Sequence, residues 1–110
     1  MNVECPWRLL RKDSIAVSSD DHHQCFGLTT PINAADTANS LIGEIPIQKS
    51  EVREGTADLL IDFGANFRLE IIPFSSGYES WQLTAPHGEV VIAQGGGQLC
   101  IRSSCPQKSF

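Results

Sequence analysis

A chain of 110 residues and 12.0 kDa has room for one domain, and at this size a single core buries roughly two thirds of the extended-chain surface without metals or disulfides. Its hydrophobic share of 41% and charged share of 19% are those of an ordinary globular protein. The net charge is -5, and Asp13 offsets the longest basic run, Arg11-Lys12. This argues against a phosphate-backbone binder, which needs clustered Lys and Arg, so no nucleic-acid partner is expected.

Nothing in the chain approaches the roughly 18 apolar residues that span a bilayer, so no membrane partner is expected. The N-terminus, Met1-Asn2-Val3-Glu4-Cys5-Pro6, lacks the basic region and apolar core of a secretory signal. The expected location is the cytoplasm, where Cys5, Cys25, Cys100 and Cys105 are thiols.

The elements divide into an N-terminal hairpin and loop (1–32), a short helix (33–42), a β-meander (43–102) and a flexible tail (103–110). Trp7-Arg8-Leu9-Leu10-Arg11 and Ser14-Ile15-Ala16-Val17-Ser18 read as strands joined by a Lys12-Asp13 turn. After a loop without periodicity, Cys25-Phe26-Gly27-Leu28 reads as a brief strand, ended by Pro31. Residues 33–42 are alanine-rich and free of proline and glycine, with Gly43 as their C-terminal cap. So short a helix must lie on a sheet to persist. Ile42, Ile45 and Ile47 then begin a strand that drifts into the polar stretch 48–55.

The β pattern is strongest beyond this point. Leu59, Ile61 and Phe63 share one face, Gly64-Ala65-Asn66 turns the chain, and Phe67-Arg68-Leu69-Glu70-Ile71 alternates without a flaw. Pro73 ends that strand, and Trp81 and Leu83 share a face in the next. Pro86-His87-Gly88 makes a turn, Glu89–Ala93 is a compact apolar strand, and Leu99-Cys100-Ile101-Arg102 closes the set. The fold expected is mainly β: an antiparallel meander forming a curled sheet or small barrel-like sandwich, with one short helix.

Candidate chemistry is sparse, and no catalytic residue or cofactor is expected. His22, His23 and Cys25 in the run Asp20-Asp21-His22-His23-Gln24-Cys25 are weak metal candidates. Structural zinc favours ligand pairs at short fixed spacing, and the cysteines here are scattered, so the run reads as a solvated acidic loop without metal. Cys25 beside either histidine lacks the third, orienting group of a nucleophilic site. Cys100 reads as a small hydrophobe on a strand. Gly95, Gly96 and Gly97 lack the Lys-Ser or Lys-Thr of a phosphate loop and read as a structural turn with positive φ. Glu70, Glu79 and Glu89 read as solvated carboxylates rather than a converging acid/base pair. Tyr78 and Trp81 would fall on opposite strand faces, placing one of them at an interface or pocket rim unless Tyr78 folds back over the core. Tyr78, Glu79 and Trp81 are therefore the binding candidates.

The segments Pro6-Trp7-Arg8-Leu9, Leu41-Ile42-Gly43, Tyr78-Glu79-Ser80-Trp81-Gln82-Leu83 and Pro86-His87-Gly88, with the glycine-rich end, carry a resemblance across about three quarters of the chain. It is similar to a family of small, uncharacterised bacterial single-domain proteins with a Tyr-Glu-X-Trp-X-Leu segment, some encoded near toxin-immunity genes. The resemblance implies a binding protein, immunity-like, rather than an enzyme, and the acidic charge would steer it toward a basic protein partner such as a nuclease toxin. One alternative is a small ligand-binding protein or hydrolase with a pocket at the open end of the sheet, with His87 its first candidate. Another is a homo-oligomeric structural protein, in which a homodimer protects the sheet edges.

Overall fold

The computed structural model describes residues 2–84 and 88–103. The expected turn at Pro86-His87, the thiol of Cys105 and all but the first residue of the expected tail lie outside the described residues. A two-residue strand, β1 (Asn2–Val3), precedes the expected hairpin of β2 (Trp7–Arg11) and β3 (Ser14–Ser18). A second hairpin joins β5 (Leu59–Gly64) to β6 (Phe67–Ile71) through Ala65 and Asn66, at φ 49° and 72°. Positive φ at both turn positions matches the right-handed twist of the flanking strands. The two turns are tied together, since the Lys12 N–H donates to the Asn66 carbonyl at 2.7 Å.

The hairpins merge because β2 pairs with β6, setting Leu9 opposite Leu69 and Trp7 opposite Ile71. With β4 (Lys49–Val52) beyond β5, the five strands run in the order β3-β2-β6-β5-β4. Alternation sends Leu9, Val17, Leu59, Ile61, Phe63, Leu69 and Ile71 to one buried face. On the other face, Glu70 Oε1 takes a 2.7 Å hydrogen bond from Arg8 Nε, and its Oε2 lies 3.4 Å from Arg68 Nε.

Helix α1 (Ala34–Ile42) lies against β3 and turns Ala34 and Ala38 into the core. Its ends form as the residues dictate. The Asn33 side chain accepts from the Asp36 N–H at 3.1 Å, and Gly43, at φ 61°, donates its N–H to the Asn39 carbonyl at 2.8 Å. The second sheet runs β1-β7-β8-β9, with β7 (Trp81–Thr84), β8 (Glu89–Ala93) and β9 (Leu99–Ser103). Its Trp81 and Ala93 join the helix and the five-stranded sheet in one apolar cluster. Gly95–Gly97 makes the expected turn between β8 and β9, with positive φ at Gly96 and Gly97.

Three expectations are corrected. The strands form two open antiparallel sheets, not one curled meander or a barrel-like sandwich: β3 and β4 end one sheet, and β1 and β9 end the other. The reason is that β2 and β5 occupy both edges of β6, so the chain leaving Pro73 has nowhere to pair there and starts a second sheet. Cys25-Phe26-Gly27-Leu28 is not a strand, because His23, Phe26 and Gly27 all take positive φ and turn the chain. Ile42 ends the helix, and Ile45 and Ile47 lie in the loop after it. The strand starts only at Lys49, where pairing with β5 supplies the backbone partners. Among the described residues no helix is long and apolar enough to cross a membrane.

Candidate binding surface

Tyr78 and Trp81 have opposite fates. Trp81 opens β7 pointing inward, is 2% exposed, and donates Nε1–H to the Ala57 carbonyl at 2.8 Å. It is a core anchor that ties the second sheet to the loop before β5. Tyr78 precedes the strand and is 80% exposed, and Phe74 in the same loop is 79% exposed. The loop is pinned from inside. Ser75 Oγ accepts from the N–H groups of Gly77 at 3.0 Å and Tyr78 at 2.9 Å, and the Ser75 carbonyl accepts from Gly96 at 3.1 Å. A serine bonding the backbone two and three residues ahead holds such a turn in one shape.

Below this loop lies a cleft of about 410 Å³, lined by Glu4, Cys5, Pro6, Phe74, Ser75, Tyr78, Glu79 and Ser80. Backbone bonds just beyond the strand ends tie its floor together: Glu4 donates its N–H to the Ser80 carbonyl and Ser80 to that of Ala93, each at 2.8 Å. Sequence reasoning reached Tyr78 and Glu79 but missed Phe74 and Glu4. A large aromatic stranded between Pro73 and Ser75-Ser76-Gly77 is the available signal for Phe74, since a turn offers it no core to enter. Glu4 reaches the cleft through strand pairing, which no local pattern encodes.

Cys5 is not an activated thiol. Burial first, and the Asp58 carboxylate second, push it up from 9.0 to about 11. It shares a cleft of about 460 Å³ with His22, but the thiolate that nucleophilic catalysis needs is disfavoured there. Because the folded value is raised, the thiol's contribution to stability is present below pH 9.0 and is lost as the pH climbs through about 11. Urea unfolding across that window is expected to show falling stability in the native chain and a flatter profile in Cys5→Ala. Identical profiles would dismiss the burial argument.

The histidine run folds against the helix. His22 Nδ1 accepts the Ala34 N–H at 3.1 Å. Its ring stacks on His23 at 4.0 Å, and the His23 N–H donates to the Ile32 carbonyl at 2.8 Å. Cys25 is exposed. Among the described residues no group of three or more His, Cys, Asp or Glu is placed to hold a metal. His22 thus satisfies an orphan donor of α1, a role legible in neither its spacing nor its neighbours.

A larger groove, about 600 Å³, runs between α1 and the sheet, lined by Trp7, Ala38, Ile42, Ile45, Phe63 and Leu69 among others. Its described lining residues are mostly apolar, with the Asn39 amide and the Trp7 indole N–H as polar groups. His87, the first candidate of the expected pocket alternative, lies outside the described residues.

No protein-family model, curated protein or solved structure matches the chain.

Proposed function

We propose that this protein is a non-catalytic binding module that engages another protein through the surface built from Phe74, Tyr78 and Glu79. One observation carries the reading: two large aromatic side chains stand about four-fifths exposed on a loop that its own hydrogen bonds hold in place. Exposed aromatics with little conformational freedom to lose are the usual anchors of protein interfaces. The net charge of -5 favours a basic partner and speeds its approach. The resemblance to toxin-immunity neighbours makes a bacterial toxin, met in the cytoplasm, the first partner to seek.

The test is affinity capture of the tagged protein from its host's lysate, followed by calorimetry with the retained partner. Phe74→Ala with Tyr78→Ala is expected to weaken binding by about 30-fold or more, the effect of losing a hot spot. Both side chains are exposed, so the fold persists, as circular dichroism would confirm. Undiminished affinity in the double variant would end the proposal.

A further inference from the structure

The cleft beneath the aromatic loop has a chemistry of its own. Its lining includes two aromatic residues, Phe74 and Tyr78, and the acids Glu79 and Glu4, and among the described residues that line it none is Lys, Arg or His. At about 410 Å³ it is sized for one side chain or small molecule rather than for a protein surface, since ligand clefts run from about 300 to 1,000 Å³. We infer that this cleft receives a single guanidinium, the arginine side chain of a basic partner, between its aromatic rings and the Glu79 carboxylate.

Three physical arguments converge on that ligand class. An aromatic face attracts a cation through its quadrupole, and arginine engages such faces more often than lysine does. Guanidinium is planar and weakly hydrated, so it stacks on a ring while its edge donates to a carboxylate. The backbone beneath adds support, because Ser80 is buried and bonded to both Glu4 and Ala93, so that part of the cleft is set before any ligand arrives. The assignment rests on the protein-binding reading above, to which it adds the chemistry of the contact.

The test uses the intact protein and a probe that needs no partner. Nα-acetyl-arginine amide is titrated while amide chemical shifts of residues 74–80 are followed by NMR, with Nα-acetyl-citrulline amide as the neutral near-isostere. Saturable shifts are expected with the arginine probe and binding about five-fold weaker, or absent, with citrulline, the change that losing a surface cation–π contact produces. Tyr78→Leu should abolish the response, and Glu79→Gln should weaken it about two- to five-fold, the range of an exposed ion pair. Equal response to citrulline, or no saturable shift, overturns the guanidinium assignment, even if capture shows that Phe74 and Tyr78 hold a protein partner. Arginine binding that vanishes in Tyr78→Leu supports it, even if the double variant keeps full partner affinity. In that case the protein-binding reading alone falls.

Discussion

Trp81→Phe lowers the unfolding free energy by about 2–4 kcal/mol. Two losses add. The Ala57 carbonyl, on a residue 1% exposed, loses the Nε1–H that bonds it at 2.8 Å, and a buried acceptor left without its donor costs about 1–3 kcal/mol. The smaller ring also leaves a void where the indole was, worth about another 1 kcal/mol or more by lost contacts. Against a total stability of about 5–15 kcal/mol, either end of this range is severe. Urea unfolding should show a lowered midpoint with an unchanged slope. Hydrogen exchange should rise most in β7 and β8, because Trp81 and Ala93 are the buried residues that the second sheet contributes to the common core. A change under about 0.5 kcal/mol, the level of ordinary surface substitutions, would mean that the indole does not anchor that sheet.

The hairpins were legible because each is local. Flawless alternation from Phe67 to Ile71 and a turn read at Gly64-Ala65-Asn66 state strand, face and partner within a dozen residues, though Gly64 itself ends β5. Helix α1 was legible for the same reason, its Asn33 and Gly43 lying within one turn of the ends they satisfy. What stayed hidden depends on contacts between distant segments. Leu9 opposite Leu69 joins two hairpins across most of the chain, and alternation reports a face but never a neighbour. That one pairing fills both edges of β6 and turns an expected single curled sheet into two open ones. The strand expected from Ile42 into the polar stretch starts only at Lys49, a boundary hidden because β4 is mostly polar and exposed and β5 supplies the backbone bonds that define it. At the candidate surface, Tyr78 and Glu79 stood out beside Trp81 as a group. Their separation came from where β7 begins, at Trp81, a boundary that the run from Tyr78 to Leu83 does not mark. Phe74 and Glu4 join them only when the loop folds down and β1 lies alongside β7.

Gly97→Ala is the second substitution with a large expected effect, about 3 kcal/mol or more, and its cause is contact rather than conformation alone. Gly97 sits at φ +83°, where a side chain strains the backbone, at about 1–2 kcal/mol for an ordinary residue. A methyl group there would also run into the Gly55 carbonyl, 2.6 Å from its carbon and 3.1 Å from Thr56 Cα. Those atoms are backbone in the loop before β5, so they cannot swing aside as a side chain would. Gly27 separates the two causes. It has nearly the same positive φ, at 84°, yet an added methyl would meet nothing within 4 Å, so Gly27→Ala should cost only the conformational share, about 1–2 kcal/mol. Thermal unfolding should therefore place Gly97→Ala clearly below Gly27→Ala, by several degrees, since about 1 kcal/mol moves the midpoint of a domain this size by roughly 4 °C. Equal midpoints would show that the second sheet does not press against that loop. The effect should extend to binding, because Gly96, next in the turn, donates to the Ser75 carbonyl that fixes the aromatic loop. A Gly97→Ala chain that still folds is expected to bind its partner more weakly with Phe74 and Tyr78 untouched, which makes the glycine turn a support of the recognition surface and not only a link between strands.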